Sequence, residues 1–237
     1  MSSESTEPIT EPTGEAGVLR DVQATVGALP GAKPAARALS HFGEHSLGWL
    51  AIAGAGAAVA HRRGDVVGRR RWVEAGIGAF GAHAASVVIK RIVRRPRPNH
   101  PAIEVGVSTP SKLSFPSSHA TSTTAAAILI GRAAGLPPLL VPAAIVPPML
   151  LSRLVLGVHY PTDVLAGAGI GAASAAAVIV GDKVLLAAEN DGETSRTAGR
   201  ARTLARYGLA AAVPGGPVTR LAAGPVIARV TRSREKA

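Results

Sequence analysis

Cysteine is absent from this chain, which excludes a disulfide framework, thiolate chemistry and a Cys-ligated metal. Aromatic residues are nearly absent too, at 3%, although apolar residues make up 47%. A soluble core of this size is ordinarily filled with Phe, Tyr and Trp. Helices that approach one another through Ala and Gly need few of them, which is a habit of membrane bundles. Acidic residues are also scarce, 15 against 26 Lys and Arg, giving a net charge of +11. That surplus suits either a nucleic-acid binder or a membrane protein with basic loops. The basic residues stand between apolar runs, as at Arg62, Arg63, Arg69, Arg70 and Arg71, and in the C-terminal stretch. Attraction to anionic lipid and the positive-inside tendency explain that placement. No zinc-finger, RRM or helix-turn-helix pattern is present, and few rings are available to stack on bases. The bilayer is the expected partner and nucleic acid is not.

The chain has 237 residues, enough for one domain. Residues 1–17 are Ser, Thr, Glu, Pro and Gly with few apolar residues, which predicts a disordered acidic tail. The tail has no basic n-region and is not a signal peptide. Val18, Leu19, Val22, Val26 and Leu29 recur at helical spacing, so a short helix is expected on the membrane surface, and a second up to His45. Five apolar spans follow, near 46–61, 72–92, 119–136, 138–157 and 161–187. The expected fold is all-α, a polytopic membrane helix bundle embedded over residues 18–187. Residues 188–237 read as a basic tail, partly helical or disordered, which would lie on the membrane or dock a partner, with a linker at Glu189–Thr197. Alternating spans put the 93–118 and 157–160 loops on one face. The basic 62–71 loop and the tail fall on the other, which places the first face outside the cytoplasm of a plasma-membrane protein.

Three blocks gather at that face: Lys90 with Arg97-Pro98, then Pro116-Ser117-Ser118-His119, then Ser152-Arg153 with His159 and Asp163. Cleaving a phosphate monoester needs donors for the equatorial oxygens, an in-line nucleophile and a proton for the leaving oxygen. Lys90, Arg97 and Arg153 supply cationic donors. Ser118 is expected to cap a helix opened by His119, with free amides facing an anion. Ser117 adds a hydroxyl, and His119 is placed as general acid. His159 and Asp163 are four residues apart, so the carboxylate can fix the imidazole tautomer and leave the other nitrogen to attack. His159 is read as nucleophile, giving a phosphohistidine. Three cations fill the place a metal would take, so neither a metal nor another cofactor is expected. Arg91, Arg94 and Arg95 read as interfacial anchors, His83 as a neutral histidine bonded across helices, and His41, His45 and His61 as interfacial. Asn99 and His100 are candidate substrate contacts.

These residues resemble the signature of the type-2 phosphatidic acid phosphatase superfamily: Lys, six residues, Arg-Pro; Pro-Ser-Gly-His; and Ser-Arg, five residues, His, three residues, Asp. Here the parts read KRIVRRPRP, PSSH and SRLVLGVHYPTD, with Ser118 in place of Gly. The resemblance implies a helical bundle of about six spans and a metal-independent phosphohistidine mechanism. SHFGEHS, SFPSSHATSTTAAA and LGVHYPTDVLAG further resemble an actinobacterial branch that removes the 5-phosphate from a polyprenyl-phosphoryl ribose for cell-wall arabinan synthesis. That branch implies a polyprenyl-phosphate lipid as substrate and cell-wall biosynthesis enzymes as partners. Two alternatives stay open: a polyprenyl-diphosphate or phosphatidate phosphatase with the same site, and a catalytically silent scaffold.

Overall fold

The computed structural model describes residues 11–206, with side chains as far as 189. The expectations for residues 1–10 and 207–237 lie outside the described residues. Among the described residues seven helices run in order: α1 Gly14–Thr25, α2 Ala32–Gly43, α3 Leu47–Arg62, α4 Val66–Val93, α5 Ser118–Ala133, α6 Leu140–Val155 and α7 Pro161–Arg206, with a 3-10 turn at Glu44–Ser46 between α2 and α3. No strand occurs among the described residues beyond an isolated bridge between Pro96 and Leu113.

Each expected span coincides with one of the helices α3–α7. Among the described residues, two segments are long and apolar enough to cross a bilayer, Val66–Val93 and Pro161–Glu189. Helices α3, α5 and α6 have 16 residues each. At 1.5 Å per residue that is about 24 Å, short of the ~30 Å hydrocarbon core. Two expectations need correction. Residues 14–17, assigned to a disordered tail, open α1. Residues 189–197, assigned to a linker, continue α7 without a break. The contacts divide the chain into two units, the first ending at Lys183 and the second beginning at Val184; the second is helical as far as Arg206.

The first unit is built around α5, whose residues Thr121 to Ala127 and Leu129 are all buried. Small residues make that burial possible. A Cβ on Gly167 would meet the carbonyl of Ser117 at 2.7 Å, and one on Gly171 would strike the carbonyl of Thr121. A Cβ on Gly169, between them, would meet nothing within 4 Å. The alternation puts Gly167 and Gly171 on the α5–α7 seam, four residues apart on one helix face. Gly78 admits Leu129 in the same way. Large apolar side chains point outward instead, among them Val73, Ile77, Phe80, Val88 and Ile92 of α4. Burying Ala and exposing Ile and Phe suits a lipid surround.

The two ends of the bundle differ. At one end the C-termini of α4 and α6 meet the N-termini of α5 and α7. At the other, Arg132 donates to Glu74 at 2.7 Å and to Asp182, and Arg70 pairs with Glu74 at 3.1 Å and with Asp182 at 2.9 Å. That network ties α4, α5 and α7 together away from the cavity described next.

Candidate active site

A cavity of about 510 Å³ opens where the four helix ends meet, and Lys90, Arg97, Ser118, His119, Arg153 and His159 all line it. His159 sits in the loop between α6 and α7. Gly157, at φ +67, makes the turn there, in a region disfavoured for residues with a Cβ. His159 is 2% exposed. Arg97 Nη1 lies 3.2 Å from its Nε2. A guanidinium only donates, so Nε2 carries the lone pair and Nδ1 the hydrogen. Nδ1 faces Asp163 Oδ2 at 3.6 Å and has no other partner. Burial, followed by the charges of Arg97 and Arg153, holds the imidazole well below its ordinary pKa. The ring is therefore neutral at pH 7, with its lone pair on the cavity side.

Asp163 is fully buried. Its Oδ2 accepts the amide of Tyr160 at 2.8 Å and its Oδ1 accepts from Arg95 Nη1 at 3.0 Å. The carbonyl of Asp163 accepts the Ser117 amide at 2.9 Å, which joins the start of α5 to the start of α7. His119 Nε2 lies 2.9 Å from the carbonyl of Ser40. A carbonyl only accepts, so Nε2 is protonated and Nδ1 is the nitrogen left to exchange a proton. Gly43 leaves room for that ring, since a Cβ there would meet His119 Cδ2 at 2.8 Å.

The cations differ in how free they are. Arg153, 2% exposed, donates from Nη1 to Ser40 Oγ at 2.7 Å, while its Nε has no partner. Arg97 is anchored through Nε to the carbonyl of Ser111 at 2.8 Å and through Nη1 to that of Val158 at 2.6 Å. Burial brings its guanidinium down to a pKa of about 10, still charged at neutral pH. Lys90 Nζ donates to the carbonyls of Leu113, Ser114 and Pro116 at 3.3, 2.9 and 2.6 Å. Its three donors hold the loop before α5, so it gives the cavity positive charge and shape more than direct bonds.

Three sequence expectations shift. The cap of α5 is Ser117, not Ser118; its Oγ accepts the Ala120 amide at 3.4 Å. Ser117 is fully buried and does not line the cavity, so its hydroxyl serves the helix. Ser118, one position later, does line it and takes a hydrogen bond from Ser86 Oγ at 2.7 Å. Asn99 and His100 do not line the cavity either; His100 Nδ1 instead accepts the amide of Ala102 at 3.1 Å in a local turn.

The sequence resembles a type-2 phosphatidic acid phosphatase, and the comparisons bear on that family. The PAP2 superfamily profile fits residues 71–183, a stretch containing all three blocks. Decaprenylphosphoryl-5-phosphoribose phosphatase of Mycolicibacterium smegmatis is 61% identical over 156 residues, covering 66% of this chain and 82% of that protein. The Mycobacterium tuberculosis protein of the same name is 58% identical over 167 residues, covering 70% and 90%. The chain belongs to the PAP2 superfamily. It is a phosphatase. Among solved structures, a transmembrane PAP2-type phosphatidylglycerolphosphate phosphatase from Bacillus subtilis superposes with a TM-score of 0.56 at 20% identity, covering 71% of this chain and 84% of that one. That likeness speaks for the fold alone.

Around this PAP2 site the structure adds residues that spacing did not reveal. Arg95, read as an anchor, bonds Asp163 and also donates to Thr162 Oγ1 at 2.7 Å and to Glu15 at 2.5 Å. Its guanidinium lies 4.2 Å over the Tyr160 ring. Glu15, from the presumed tail, accepts both the amide and the hydroxyl of Thr162, at 2.9 and 2.7 Å. Burial alone would raise the Glu15 carboxyl, but the bonds from Thr162 and Arg95 outweigh it and hold it below its ordinary pKa. A signal for Arg95 was present: in an extended segment, side chains two apart share a face, so Arg95 and Arg97 both reach the third block. Nothing in the sequence marks Glu15.

Proposed function

We propose that this protein is an integral-membrane lipid phosphatase that removes the 5-phosphate from decaprenylphosphoryl-5-phosphoribose, leaving decaprenylphosphoryl ribose for cell-wall arabinan synthesis. The observation that carries the chemistry is the state of His159, with Nε2 unprotonated beside Arg97 and Nδ1 facing Asp163. The mycobacterial relatives' names supply the substrate. Nε2 of His159 attacks phosphorus, the bond from phosphorus to the sugar oxygen breaks, and that oxygen takes a proton relayed through Nδ1 of His119, a proton that the phosphate monoester brings into the site on one of its own oxygens. Water then attacks the phosphohistidine, its proton passes to His119, and inorganic phosphate leaves. Arg97, Arg153 and the amide of Ser118 bind the phosphate oxygens throughout, with Lys90 adding charge. No metal is assigned a role, and release unaffected by EDTA is the expected result.

The test offers purified protein the ribosyl lipid, a polyprenyl diphosphate and a phosphatidate. Phosphate release fastest from the ribosyl lipid supports the reading; none from it refutes the substrate. His159→Ala is expected to remove turnover while the protein still folds, and undiminished release would refute the nucleophile. We place the cavity on the extracytoplasmic face of a multi-pass plasma-membrane protein, because the basic 62–71 loop falls at the other end. The absence of cysteine makes a single Cys at Ser111 a clean probe, and labelling from the cytoplasm alone would reverse this orientation. Docking to cell-wall biosynthesis enzymes is the proposed role of the C-terminal tail.

A further inference from the structure

The cavity is larger and chemically more varied than a phosphate requires. Its volume falls in the ordinary range for sites that enclose a whole small molecule, ~300–1,000 Å³. Beside the cations and the two catalytic imidazoles, its wall carries Glu44, His45 and His83. Glu44 and His45 come from the 3-10 turn between α2 and α3, and His83 from α4.

Glu44 is the informative member. A carboxylate repels a phosphate, so Glu44 must face a part of the substrate that is not one. A carboxylate only accepts hydrogen bonds, and what it recognises in a sugar is a hydroxyl. His41 and His45 flank it with ring nitrogens 4.0 and 3.9 Å from its oxygens; these are too long for hydrogen bonds, so the carboxylate has capacity to spare. Its side chain is 49% exposed and faces the open cavity.

Two further observations point to a ligand here. Nδ1 of His83 is buried without a hydrogen-bond partner, and a buried polar atom left unpaired is destabilising until something pairs with it. His45 and Ser46 both have positive φ, 48° and 64°, a conformation that is unfavourable for a non-glycine residue and gathers at ligand-binding positions. That turn brings the His45 ring within 5.8 Å of the His83 ring, centroid to centroid. A strained turn, an acceptor and an unpaired ring nitrogen thus line the cavity that holds the phosphate site.

We propose that Glu44, His45 and His83 form a subsite for the vicinal hydroxyls of the sugar that bears the phosphate. The proposal rests on the ribosyl-lipid reading above. A ribose joined to lipid phosphate at C1 and phosphorylated at C5 keeps hydroxyls free at C2 and C3. Glu44 accepts from these hydroxyls, and the imidazoles donate to or accept from them. Sites built to hydrogen-bond a hydroxyl reject analogues that lack it.

The experiment compares kcat/KM on the ribosyl 5-phosphate lipid and its 2-deoxyribosyl counterpart, for wild type, Glu44→Ala and His83→Phe. Each result is a ratio between two substrates, so partial misfolding of a variant does not alter it. Wild type is expected to favour the ribosyl lipid by about 10- to 100-fold, the usual weight of hydrogen bonds to a charged group. At least one variant should lose most of that preference. Equal turnover of both lipids by wild type overturns the subsite and leaves the proposed function standing. Preference retained in both variants overturns the assignment to these residues. No turnover of the ribosyl lipid by wild type overturns the proposed function, and the subsite with it.

Discussion

At the scale of single residues, the site depends on keeping one imidazole neutral and correctly turned. Asp163 faces Nδ1 of His159, and Arg95 fixes Asp163 from behind. Asp163→Asn preserves the volume but can present an N–H to Nδ1, favouring the wrong tautomer. A loss of about 10³-fold or more in kcat is expected by analogy with other imidazole–carboxylate pairs; a loss under tenfold would remove Asp163 from the mechanism. Arg95→Ala is expected to lower kcat by about 10- to 100-fold at nearly constant KM, because Arg95 touches Asp163 and not the cavity. Partial rescue by Arg95→Lys separates positioning from folding. His159 also sets a pH dependence. Its folded pKa lies below its ordinary 6.5, so the unfolded chain takes up the proton first as pH falls. Its contribution to stability is complete above pH 6.5 and declines below it. Melting in detergent from pH 8 to 5 should show that decline, and His159→Gln should flatten part of it. Most of these groups were legible in the sequence, because fixed spacing within each block already implies a shared helix end. Glu15 was not, since its partners Arg95 and Thr162 lie in different blocks, and composition around Glu15 suggests disorder.

At the scale of helices, the bundle is held by contacts that only small residues permit. The run Gly167-Ala168-Gly169-Ile170-Gly171 showed the need for close packing but not which glycines meet a neighbour. The structure separates them: Gly171 abuts Thr121 and Thr124 of α5, and Gly169 faces open space. Gly171→Leu is expected to destabilise the protein by about 1–3 kcal/mol through overpacking, read as a lower melting temperature in detergent. Gly169→Leu is the paired control, and an equal loss there would show that the effect is helix-wide and not a seam. The five helices were legible from apolar runs, but their membrane-spanning capacity was not. Apolar runs do not show that α3, α5 and α6 stop at 16 residues, nor that α5 is buried by its neighbours while α4 presents Ile and Phe outward. The start of α1 at Gly14 was hidden for a related reason. Its first turn is stabilised by Glu15 docking on α7 and by no apolar periodicity of its own.

At the scale of the whole first unit, charge is divided between the two ends of the helices. One end holds a cluster of cations around a cavity, which is unfavourable until an anion enters. The other holds Arg70 and Arg132 matched with Glu74 and Asp182, which is favourable without any ligand. The second network can therefore keep α4, α5 and α7 in register while the first stays poised for phosphate. The two should be separable by mutation. Arg132→Ala leaves Glu74 and Asp182 under-compensated, and Asp182 is 5% exposed. Breaking a buried pair from one side costs ~3–5 kcal/mol, and the partial exposure of Arg132 puts the expected loss at the lower end of that range. Because no member of the network lines the cavity, kcat per folded molecule is expected to stay near wild type. Arg153→Ala should do the reverse. It removes a buried cation from a like-charged cluster, so stability without ligand is kept or raised, while phosphate release falls by 100-fold or more, as is typical when a transition-state charge donor is lost. Thermal unfolding of both variants with and without inorganic phosphate checks the division. Wild type and Arg132→Ala should gain melting temperature from phosphate and Arg153→Ala should not. Equal phosphate stabilisation of all three would show that the cavity cations are not what binds the anion.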